Sequence, residues 1–288
     1  MHDIGLLEYL SKEWKSRNFA RYTSEYSERA KKQCRHSENL LTAEEHSKMS
    51  EVDFACHFES IDKLIKWYFG YLSNIGKMGV LSCIGEFIKQ EGAKNIISYG
   101  AGPSVLEYFL KMIFQEDIHI VVTDYDEFIV DGVRKLFNNM KAERFDFYKD
   151  DPEQLISKYK IDTAIMIGSA CSMDNGMYIQ FLRRLEKCNI QTIFTFEAGV
   201  YNSLAERIRS DVMKFLYLLK LCFLYIFHKS AYESRKERFM TDSQCFHACS
   251  RSINELEKIY VRGGYMFTRI GHVECYPVAY KLQRVGQG

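Results

Sequence analysis

From residue 94 onward the chain alternates short apolar runs with helix-length stretches, and that alternation admits few architectures. Runs rich in Ile, Val or Phe stand at 95–99, 118–123, 145–148, 162–168 and 191–197, with helix-like segments between them at 103–115, 127–140, 153–159 and 174–188. Strand–helix repeats of this length build a parallel sheet, because right-handed crossovers lay the helices over both of its faces. Ligands then bind at the carboxyl ends of the strands. After the fifth strand, Arg251 to Tyr260 reads as a helix ended by Gly263-Gly264, followed by strands at 265–270 and 275–284. A short link around Gly271 joins these two only as a hairpin, so the last strand is expected to run antiparallel to its neighbour.

The first strand breaks at Gly100-Ala101-Gly102, with Pro103 placed to start a helix, and the second ends in Asp124. Glycines let a backbone approach a ligand closely, and a carboxylate about twenty residues on can accept hydrogen bonds from ribose hydroxyls. This layout predicts a site for an adenosine-bearing ligand. A Gly-x-Gly-x-x-Gly dinucleotide loop requires a third glycine where this chain has Val105, which disfavours a nicotinamide enzyme.

Composition removes other classes. Lys and Arg total 39 against 38 for Asp and Glu, so the chain lacks the basic excess of a protein gripping a phosphate backbone, and no nucleic-acid partner is expected. Nine cysteines follow no regular framework and no signal peptide is evident, which reads as reduced thiols in the cytoplasm. Cys245, His247 and Cys249 have no second ligand pair of zinc-site spacing, so no metal is expected.

Residues 94–284 resemble the class I S-adenosylmethionine-dependent methyltransferases. The carrying motif is Ser98-Tyr99-Gly100-Ala101-Gly102-Pro103-Ser104, in which two glycines match while Ser98 stands for the usual acid and Ser104 for a third glycine. The resemblance implies a Rossmann-like α/β three-layer sandwich with a seven-stranded, mostly parallel sheet and an antiparallel last strand. It also implies S-adenosyl-L-methionine as cofactor, held by the 98–102 loop, by Asp124 at the ribose and by Tyr125 against the adenine. Asp150 or Asp151 would meet the adenine amino group, and Gly168 and Ser169 would lie at the fourth strand's end near the transferred methyl. Glu197 ends the fifth strand and reads by default as an exposed rim carboxylate, with a base or an acceptor anchor as the alternatives. No residue is singled out as catalytic; His228, His247 and His272 lack diagnostic neighbours. The absence of an Asn-Pro-Pro-Tyr type signature after the fourth strand favours a small-molecule acceptor methylated at oxygen. A silent binding protein of the same fold is the rival reading, motivated by Ser98.

Two regions lie outside that core. Residues 1–92 read as a helical lid, with an apolar stripe at Phe54, Phe58, Ile61, Ile65, Tyr68 and Leu72. Within the methyltransferase-like region 93–288, an insert at about 203–240 is apolar from Val212 to Phe227 except for Lys214 and Lys220. Sixteen residues fall short of a bilayer span, so a core helix, a homodimer contact or a peripheral membrane helix flanked by basic residues all remain open.

Overall fold

The computed structural model describes residues 77–198, 200–201, 251–273 and 276–286, together with Ser60, Ile61, Leu64, Ala205 and Ile208. Most of the insert, most of the N-terminal region and the Cys245–Cys249 cluster therefore lie outside the described residues. Helix α1 (Lys77–Glu91) leads into β1 (Asn95–Tyr99), α2 (Val105–Phe114), β2 (His119–Asp124), α3 (Glu127–Leu136), β3 (Lys141–Arg144) and α4 (Pro152–Tyr159). Then come β4 (Thr163–Ile167), α5 (Asn175–Lys187), β5 (Thr192–Glu197), the short β6 (Val200–Tyr201) and β7 (Arg251–Ser252), α6 (Ile253–Arg262), β8 (Tyr265–Val273) and β9 (Tyr276–Arg284).

Seven strands form one sheet in the order β3-β2-β1-β4-β5-β9-β8, parallel from β3 to β5. β9 is antiparallel to both β5 and β8, as the hairpin ending required. Consecutive strand residues point to opposite faces, and both faces are covered. Ile96, Val122, Ile165 and Phe194 pack with α1, α2 and α3, whereas Ile97, Val121, Ala164 and Ile193 pack with α4, α5 and α6. Phe87 of α1 stacks on Phe194 at 4.3 Å, fixing that helix over the middle of the sheet.

Helix starts follow the local chemistry. Asp151 accepts the Glu153 N–H with Pro152 in the first turn, Asp174 accepts the Met177 N–H, and Ser252 with Glu255 forms a reciprocal capping box.

Three expectations shift. The third strand is Lys141–Arg144 rather than 145–148, because Phe145 and Phe147 are core aromatics of the following loop, packed on Tyr99 and Phe181, not strand residues. Helix α2 begins at Val105, not Pro103, since Ser104 takes a left-handed conformation (φ 56°) that interrupts the helix. β8 continues through Gly271 (φ 103°), which takes up a register irregularity, so the hairpin turns beyond Val273.

Candidate functional site

The order β2-β1-β4 places the reversal of winding between β1 and β4, and the loops leaving those two strands meet there. Their approach is close. A side chain on Gly100 (φ 65°) would meet Ser169 Cβ at 2.6 Å, so only glycine lets the two loops touch. Gly102 (φ 54°) faces open space, and Ser104 holds the same left-handed conformation where the resemblance has its third glycine. A non-glycine residue there costs about 1–2 kcal/mol, which explains why glycine suits that position. Ser104 Oγ donates to the Gly102 carbonyl at 3.2 Å and helps hold the turn.

Asp124 ties the second strand to this loop. Its Oδ2 accepts the Gly102 N–H and its Oδ1 the Asp126 N–H, both at 3.1 Å, and the residue is buried. Ala101 N–H donates to the Thr123 carbonyl, and Thr123 Oγ1 to that of Ser98. Tyr125, next in sequence, is 64% exposed, and Tyr148 on the loop after β3 is half exposed with its hydroxyl on the Ser172 carbonyl.

Position 98 carries no carboxylate, but one from the next helix stands against it. Ser98 Oγ donates to Glu107 Oε1 at 2.7 Å, and both residues are buried beneath the glycine loop. Glu107 lies in the first turn of α2, where the helix N-terminus favours negative charge. An acid one turn into the helix after the loop was the signal available in the sequence.

Other anticipated residues take structural positions. Tyr99 turns its ring into the core against Phe145 and Phe181, so only its backbone belongs to the loop. Burial raises its phenol far above the ordinary range. Asp151 caps α4, and Asp150 Oδ2 accepts the Asp146 N–H at 2.7 Å. With β3 ending at Arg144, the acid just past that strand is Asp146, which sequence reading passed over by placing the strand four residues late. Its carboxylate accepts the Tyr148 N–H and pairs with Lys149 at 3.2 Å. Burial works to raise its pKa, but Tyr148, Lys149 and Arg144 together outweigh it and hold the group below the ordinary Asp value.

That lowering has a sign. The contribution of Asp146 to stability is complete above the unfolded value of about 3.9 and is lost as pH falls through its lower folded value. Asp146→Asn should therefore lose less stability than wild type on acidification through this window, read from urea midpoints. Parallel curves would show that Asp146 contributes nothing to the acid limb.

Glu197 is not the exposed rim carboxylate expected. It is fully buried, and its Oε1 accepts from Tyr178 Oη at 2.9 Å, Tyr260 Oη at 2.8 Å and Thr195 Oγ1. Burial, then the Glu197 charge, pushes both phenols well above their usual range and keeps them donors. Arg251, also buried, lies 5.4 Å from the Tyr178 ring centre and bonds the carbonyls of Ala170 and Met173 and Asn175 Oδ1. It thereby fixes the turn that carries Ser169, whose own hydroxyl is buried with no partner among the described residues. His272 is exposed on β8.

A cavity of about 360 Å³ lined by Arg134, Met140, Lys141, Glu143 and Tyr159 lies at the opposite, amino-terminal end of β3. Lys158 and Tyr159 both bond Glu143 there, so its polar groups serve one another.

The sheet order and the switch-point loop define the fold of the class I S-adenosylmethionine-dependent methyltransferases. A provisionally assigned O-methyltransferase from Nostoc punctiforme PCC 73102 is similar, with TM-score 0.51 and 11% identity over 90% of this chain and 68% of its own. The S-adenosylmethionine-dependent methyltransferase SibL is similar at TM-score 0.50 and 10% identity, covering 90% and 70%. Magnesium protoporphyrin IX methyltransferase from Synechocystis PCC 6803 gives 0.48 and 11%, covering 74% and 85%. No family profile and no curated protein matches the sequence.

Proposed function

We propose that this chain is a cytoplasmic S-adenosylmethionine-dependent methyltransferase that acts on a small molecule, at oxygen. The observation that carries the reading is the touching pair of loops at Gly100 and Ser169 beside the buried Asp124. The donor set fits the cofactor. Asp124 is held at the end of β2 by the Gly102 and Asp126 N–H groups, where a carboxylate suits a ribose diol. The Ser169 hydroxyl, without a partner among the described residues, offers a further polar contact at the β4 end.

Asp124 would hold the ribose and Tyr125 would lie on the adenine, whose ring stacks well on an exposed phenol. Asp146 is better placed than Asp150 or Asp151 to meet the adenine amino group, since those two close a loop and cap a helix. Glu107, acting with Ser98, supplies the negative charge for the ammonium of the amino-acid portion. The cofactor, when bound, supplies an electrophilic methyl for in-line displacement; the protein's part is alignment and exclusion of water.

Calorimetric titration with S-adenosylhomocysteine, with NADH as control, tests the site. Micromolar binding of the former alone supports it, and binding of NADH alone would replace it with an oxidoreductase. Transfer of a labelled methyl to small-molecule hydroxyls then separates an enzyme from a silent relative of the same fold.

A further inference from the structure

Tyr276 opens β9, and β9 is antiparallel to β5, so its first residue returns to the rim where the parallel strands end. The ring lies edge-to-face with Phe196 at the end of β5, centroids 6.0 Å apart, and passes beyond it to the exit of β4. A Cβ on Gly168 (φ 72°) would stand 3.2 Å from Tyr276 Cε1 and 3.3 Å from its hydroxyl oxygen. Gly168 thus provides the room in which this phenol sits. Since Gly168 precedes Ser169, and Ser169 touches Gly100, the rim from β1 to β9 forms one continuous wall ending in Tyr276.

A ligand anchored by Asp124 at β2 and laid across β1 arrives at that wall. Strands lie about 4.8 Å apart, so the β4 exit is about 10 Å from Asp124's strand, within reach of one extended nucleoside thioether. Both the face of a phenol ring and its oxygen are electron-rich, and both favour a cation over a neutral group of similar shape. Resting on the function proposed above, we infer that Tyr276 is a specificity-determining residue that reads the positive charge of the sulfonium and so distinguishes S-adenosylmethionine from its neutral product.

The test compares the dissociation constants of S-adenosylmethionine and S-adenosylhomocysteine by calorimetry on wild type, Tyr276→Phe and Tyr276→Leu, with thermal melts alongside. S-adenosylhomocysteine should bind all three within about 2-fold. S-adenosylmethionine should weaken about 2–5-fold in Tyr276→Phe, which loses only the oxygen, and about 5–30-fold in Tyr276→Leu, which loses the ring face as well. Should Tyr276→Leu fail to fold, the near-isosteric Tyr276→Phe still decides the matter. Equal changes for both ligands, or no change for either, overturn the inference while leaving the site intact. Failure of wild type to bind either ligand overturns the reading of the site itself, and this inference with it.

Discussion

Asp124→Ala should weaken S-adenosylhomocysteine binding by about 1.5–3 kcal/mol, the worth of a hydrogen bond to a charged group, or roughly ten- to 150-fold. The loss has two parts. One is the ribose contact; the other is the anchoring of the Gly102 N–H, which in the variant has no carboxylate to hold the loop in its left-handed course. Asp124→Asn keeps the size and one acceptor oxygen, and should fall between the two. Unchanged affinity in Asp124→Ala would remove the adenosine site from the end of β2.

Arg251→Met should destabilise the fold by about 3 kcal/mol or more. Methionine keeps much of the apolar stem but withdraws every donor from Asn175 and from the carbonyls of Ala170 and Met173, two buried residues where water does not replace the guanidinium. The stacking over Tyr178 goes as well. A urea titration reads the effect as a lowered midpoint with little change in slope. Because the turn held by Arg251 carries Ser169, folded variant should also bind S-adenosylhomocysteine more weakly. A midpoint within error of wild type would show that the 169–175 turn holds itself.

The parts of this molecule that depend on near neighbours in sequence could be read without coordinates. β1, β2, β4 and β5 were visible as apolar runs, and the closing hairpin predicted the antiparallel β9. Gly100, Gly102 and Asp124 declared themselves by spacing. What could not be read depends on residues far apart in the chain. Glu197 looks like any strand-terminal carboxylate until Tyr178 and Tyr260 are brought to it from two helices. Arg251 follows an insert and gives no sign that it will bond a turn some eighty residues earlier. The misplaced β3 has a different origin: Phe145-Asp146-Phe147-Tyr148 is strand-like by composition, while Lys141-Ala142-Glu143-Arg144 is polar because it forms a sheet edge, where charge is tolerated and blunts stray pairing.

The position of β9 between β5 and β8 sets the order in which the molecule can be finished. On the ribosome, β1 to β5 can pair as they emerge, but the free edge of β5, with Phe194 and Phe196 beside it, has to wait for Tyr276–Arg284. In that interval β5, paired to β4 on one side, presents an unpaired apolar edge open to the wrong partner. Completion of the sheet is therefore a late, long-range event and a slow one. Shortening the chain within β9 would expose this edge permanently, so such truncations should be lost to aggregation before any effect on ligand binding could be measured.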